Sequence, residues 1–198
     1  MDDNKIYNLG GVKFLEKKEN IDIDSYLKHI ESIMGEIPSM QVLKFSKEYG
    51  FSIFRNKVFI KAIQSSDFIK DKIEIGVIFG FGEFKNNIKN IIDRYYKEEQ
   101  INCKFYPLCE GFPGDIIYYS LDKETFGKVF YWHHDANIGE DITLISGSFE
   151  DFINNLFSEK EEDKLDVLSD EELKSINEKR KKVGLPLIDK YRNPLKNV

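Results

Sequence analysis

The 198 residues carry 29 Lys and Arg against 35 Asp and Glu, a formal net charge of −6, and 41% of them are apolar, 16 Phe and 10 Tyr included. That composition supplies a core for one domain, or a domain with an appendage, and excludes an aromatic-poor disordered chain. The acidic balance excludes a general affinity for nucleic acid or anionic membranes, both of which are held through clustered Lys and Arg.

The N-terminus, Met1-Asp2-Asp3-Asn4-Lys5, is acidic where a signal peptide is basic, and no apolar run approaches the roughly 18 residues a membrane span needs. A cytoplasmic location is therefore expected. Tyr26, Leu27, Ile30, Ile33 and Met34 fall on one helical stripe over residues 24–34, with Asp22 or Asp24 as cap and Gly35 and Pro38 closing the run. Ser39 then caps a second segment bearing Met40, Val42, Leu43 and Phe45, which Gly50 ends, so a helical hairpin is predicted. After it the period becomes extended. Phe51–Phe54 and Val58–Ile63 flank Arg55-Asn56-Lys57 as a predicted β-hairpin, and Ile73–Phe79 forms a third strand leading into Gly80-Phe81-Gly82. Helical spacing returns over residues 87–98, where Ile88, Ile91, Ile92, Tyr95 and Tyr96 share a face.

Extended runs then follow in quick succession at Cys103–Leu108, Asp115–Leu121, Lys128–Asp135 and Ile142–Ile145. Their links are short and rich in turn residues, which predicts an antiparallel meander, since a parallel return needs a crossover of about a dozen residues. Ser148 opens a helix with Phe149, Phe152, Ile153, Leu156 and Phe157 on its apolar face, and Asp151 completes a capping box. The composition shifts beyond Ser158. Residues 159–172 hold eight acids and two bases and residues 173–198 two acids and eight bases, so the tail is neutral and residues 1–158 keep the whole −6. Ser169, Glu171 and Glu172 read as a helix start, Lys179 to Lys182 as its basic end, and Gly184, Pro186 and Pro194 as a non-helical finish. The expected organisation is a domain over residues 1–158 and a charged helical tail over 159–198.

No motif announces chemistry. His133-His134-Asp135 offers imidazole and carboxylate, but neighbours on a strand point to opposite faces, so no metal site is read from it; Trp132 and one histidine are expected to pack while the other faces solvent. Cys103 and Cys109 match no disulfide framework and no paired zinc spacing, and read as reduced, structural thiols. Cys109 with His133 lacks a nucleophile turn, and Phe79-Gly80-Phe81-Gly82-Glu83 lacks the remaining residues of a phosphate loop. Glu110 and Asp115 flank one turn without a catalytic signature, and Lys179-Arg180-Lys181-Lys182 reads as a solvated helix end. Neither a cofactor nor catalysis is expected.

Three stretches together carry a resemblance: YPLCEGFPGDIIYYSL (Tyr106–Leu121), GKVFYWHHDAN (Gly127–Asn137) and SGSFEDFINNLF (Ser146–Phe157). With the earlier helix, Pro38 and Phe45–Gly50, the region from about residue 22 to 157 resembles the SUKH superfamily, which contains bacterial immunity proteins and the fungal cell-wall assembly regulator. Gly114-Asp115 and Trp132 are its most specific points, whereas Glu48-Tyr49-Gly50-Phe51 has one glycine where many members have an acidic or Asn-Gly-Gly element. The resemblance implies an α+β fold, a twisted and mostly antiparallel sheet packed by helices. It also implies an immunity protein that occludes the active site of a cognate toxin, often a nuclease, with Gly114, Asp115 and Trp132 as candidate partner-binding residues. The acidic residues 1–158 suit a basic toxin surface. The alternatives are a protein-binding scaffold or regulatory module, and a hydrolase using Asp115, Glu110 or His133.

Overall fold

The computed structural model describes residues 3–16, 22–64, 66–69, 71–98, 100–137, 139–159 and 170–182. The chain divides into two units, Met1–Ser158 and Glu159–Val198.

The first unit opens with α1 (Asp3–Asn8) and β1 (Val12–Phe14), two elements with no clear signal in the sequence. Asp22 accepts a hydrogen bond from the Ser25 amide and starts α2 (Ile23–Met34), which Gly35 ends in the left-handed conformation at φ +75°. In α3 (Met40–Tyr49), Ser39 occupies the N-cap position with its side chain making no capping bond. β2 (Ser52–Phe54) and β3 (Val58–Ile60) follow.

These two strands do not form the predicted hairpin. β2 pairs with β1, and β3 pairs antiparallel with β4 (Ile73–Glu74) and, on its other side, with a late strand at Phe157–Ser158. Arg55-Asn56-Lys57 is captured by the N-terminal segment instead of turning the chain back: the Arg55 amide donates to Gly11 O at 3.0 Å and Asn56 Nδ2 to Leu9 O at 3.1 Å. The predicted third strand is shorter as well. Beyond β4 the chain stays extended but changes partners, and Ile78 bridges β2 on one side and the next long strand on the other. Gly80 lies where the backbone meets Gly50, whose Cα would be 2.5 Å from a Cβ at Gly80, so glycine at both positions permits the two chain segments to touch.

Asn87 caps α4 (Ile88–Lys97) through its side chain, which accepts from the Asn90 amide at 2.9 Å. The meander is formed as predicted by β5 (Phe105–Glu110), β6 (Ile116–Ser120), β7 (Val129–Trp132) and β8 (Ile142–Ser146), antiparallel in the order β5-β6-β7-β8. The capping box opens α5 (Phe149–Asn155), with the Asp151 amide 3.0 Å from Ser148 Oγ. The helix is shorter than predicted, because Phe157 leaves it for β9 (Phe157–Ser158), the late partner of β3.

Every residue of β6 is buried, which requires cover on both faces of the sheet. α4 lies against β5 and α5 against β8, while α2 packs on α4. Ile30, Met34, Val42, Phe45, Ile88, Ile92, Phe105, Tyr106, Leu108 and Phe152 are all at most 1% exposed in one continuous core. The unit is thus an α+β domain in which a four-stranded antiparallel meander and two smaller antiparallel sheets, β1-β2 and β4-β3-β9, are packed by helices.

In the second unit the described element is α6 (Asp170–Lys182), with Lys179, Arg180, Lys181 and Lys182 in its last turn, where cations complement the helix dipole. Ser169 and the Gly184, Pro186 and Pro194 segment lie outside the described residues. Among the described residues no helix is long and apolar enough to cross a membrane.

Candidate functional site

The antiparallel meander places the β5–β6 turn and the β7–β8 turn at the same end of the sheet. The register fixes what meets there: Ile116 opposes Trp132 and Ile117 opposes Tyr131. One step beyond that ladder, Asp115 reaches the start of the β7–β8 turn.

Asp115 is 1% exposed and its carboxylate is surrounded by donors. Oδ2 accepts from the Tyr131 hydroxyl, and Oδ1 accepts from the His134 amide at 3.0 Å and pairs with His134 Nδ1 at 2.6 Å. His133 Nε2 lies 3.9 Å from Oδ2. The bond to Asp115 raises the pKa of the His134 imidazole above its ordinary value, while burial, followed by the same carboxylate, raises that of the Tyr131 hydroxyl. The Tyr131 oxygen also accepts from the Phe112 amide at 3.4 Å, so one carboxylate ties both turns together.

Trp132 is 4% exposed and belongs to the same lock. Its indole N–H donates to Asp141 Oδ2 at 3.1 Å and its ring meets Tyr95 of α4 edge-on at 5.4 Å. Asp141 also accepts from the Gly139 amide at 2.9 Å through Oδ1 and from the His133 amide at 2.8 Å through its carbonyl, which closes the β7–β8 turn. Gly114 has φ +98°, and a Cβ there would lie 3.0 Å from His134 Nδ1. The position therefore needs glycine on both backbone and packing grounds.

The structure brings Gly114 and Asp115 together with Tyr131, His133 and His134, and sets Trp132 beside them on Asp141. As side chains, Asp115 and Trp132 are buried and shape the loops; the surface of this end belongs to Phe112 (67% exposed), His133, His134 and Phe68 (41% exposed), whose ring lies 4.7 Å from His133. Strand alternation does not separate the two histidines, contrary to expectation. β7 ends at Trp132, so His133 and His134 sit in the turn, with their rings stacked at 5.9 Å and 8° between planes. Sequence reasoning missed Tyr131 and His134 as partners of Asp115, because a strand prolonged past Trp132 sets Asp115 opposite His133, whereas the turn brings His134 onto the carboxylate.

The other candidates lie elsewhere or are inert. Glu110 is half-buried at the end of β5, and burial raises its pKa. Cys109 is completely buried and its thiol is pushed far up by desolvation, which removes it as a nucleophile; Cys103, pushed up to about 11, donates to the Tyr118 hydroxyl. His29 pairs with Asp93 on α4 at 2.9 Å.

This is an α+β domain whose sheet end carries two loops locked on a buried carboxylate. The model of the SMI1/KNR4 family (SUKH-1) matches residues 12–155, well over half of the chain, and the chain belongs to that family. No curated protein matches the chain.

Proposed function

We propose that this chain is a cytoplasmic immunity protein that binds a cognate toxin, a nuclease with a basic surface, and occludes its active site. Membership of the SUKH-1 family, which includes immunity proteins, is the observation that carries this reading. The formal −6 on residues 1–158 supports it, because an acidic surface steers a basic partner into encounter and raises the association rate.

The contact surface proposed is the loop end of the sheet. Gly114, Asp115 and Trp132 contribute by holding the loops in one geometry, which lowers the ordering cost of binding, and Phe112 supplies an exposed aromatic anchor. Affinity then comes from a few desolvated side chains and speed from long-range charge.

The reading predicts a toxin domain encoded immediately upstream, and co-expression with that domain tests it. Full growth protection and a stable complex are expected; a toxic phenotype unchanged by this chain rejects it. Substituting His133→Ala with Glu110→Gln removes two of the three candidate catalytic groups and spares Asp115, which holds the loops; protection by occlusion is expected to persist, whereas a hydrolase using either group would lose it. Phe112→Glu is expected to weaken the complex by about tenfold or more, the size of an anchor loss, with the melting temperature unchanged because the ring is solvent-exposed.

A further inference from the structure

We propose that Asp115, His133 and His134 form a binding site for one divalent transition-metal ion of the zinc class. One ligand atom from each of the three lies within 4.8 Å of the other two. A tetrahedral ion about 2.0–2.1 Å from its ligands spaces neighbouring ligand atoms by about 3.3 Å. The 2.6 Å between Asp115 Oδ1 and His134 Nδ1 therefore opens slightly, and His133 Nε2, 3.9 Å from the other carboxylate oxygen Oδ2, turns toward the ion. His134 and His133 have side-chain exposures of 33% and 21%, which gives an ion a path from solvent and lets the rings turn, while the fully buried carboxylate stays fixed.

The supporting contacts are those a metal site uses. The Tyr131 hydroxyl and the His134 amide orient Asp115, and Asp135 Oδ1 lies 3.2 Å from His134 Nε2, so a carboxylate backs the ring nitrogen that faces away from the ion. Binding replaces the proton between His134 Nδ1 and Asp115 with the ion; the ring then carries its proton on Nε2, facing Asp135, and any second proton leaves to solvent. His133 presents its Nε2 lone pair by carrying its proton on Nδ1, giving up the 3.3 Å bond from the Asp135 amide, and water completes the coordination. Two imidazoles and one carboxylate select zinc, nickel, cobalt or copper over magnesium and calcium, which demand all-oxygen shells. The site is independent of the toxin reading, since the isolated protein shows it or does not.

Isothermal titration of the full chain, freed of any polyhistidine tag, with zinc or nickel chloride tests the proposal. One ion per chain at micromolar affinity is expected, with no saturable heat from magnesium. The double variant His133→Asn, His134→Asn should lose about tenfold or more in affinity, whereas His29→Asn, at the separate Asp93 pair, should lose none. Trp132, the chain's single tryptophan and the neighbour of His133, supplies a readout that needs no variant: nickel should quench its emission saturably. Absence of saturable zinc and nickel binding, equal binding of magnesium, or unchanged affinity in the double variant overturns it.

Discussion

Asp115 is the residue on which the loop end turns. A buried carboxylate is tolerated only where donors replace water, and here the Tyr131 hydroxyl, the His134 amide and the His134 ring do so. Tyr131→Phe removes one donor and keeps the ring, and urea unfolding should show a loss of about 1–3 kcal/mol, the cost of a buried acceptor left short. Gly114→Ala should cost about 1 kcal/mol or more, since the new Cβ meets both a positive φ and the His134 ring. The His134 pairing makes stability depend on pH. Its folded pKa is raised, so its contribution is complete below the unfolded value of about 6.5 and is lost as pH rises through the folded one. Melting temperatures measured between about pH 6 and pH 9 should therefore fall more for the unmodified chain than for His134→Ala; parallel curves would contradict the pairing.

Among the elements, those governed by local chemistry were legible in the sequence. Asp22 and Ser148 announce α2 and α5, and each side chain makes its capping bond, while α4 is announced by its apolar stripe and Asn87 supplies its cap. Ser148→Ala should accordingly cost about 1 kcal/mol in thermal unfolding, more than Ser39→Ala, whose hydroxyl makes no capping bond. The meander was legible because its links are too short for a crossover. What escaped were pairings between distant segments. β1 with β2 and β3 with β9 join residues whose separation carries no periodic signal, and Arg55-Asn56-Lys57 resembles a hairpin turn until Gly11 and Leu9 claim its donors. The loop-end cluster escaped for a related reason, since a strand pattern prolonged to Asp135 places His133 and His134 on opposite faces, whereas β7 stops at Trp132.

For the whole molecule, the family and the charge distribution support the proposed immunity role. The formal −6 belongs entirely to residues 1–158, which include the whole family match, and residues 159–198 are neutral. We therefore expect a chain ending at Ser158 to unfold cooperatively and to retain toxin binding, read by calorimetry and by complex formation. The proposed inhibition is tested most directly by titrating the catalytic activity of the toxin that the proposal places immediately upstream with the full chain, followed at low and high salt. Stoichiometric inhibition is expected, with an association rate that falls steeply as salt screens the acidic surface. A toxin that keeps its full activity in the presence of excess chain would contradict the immunity role.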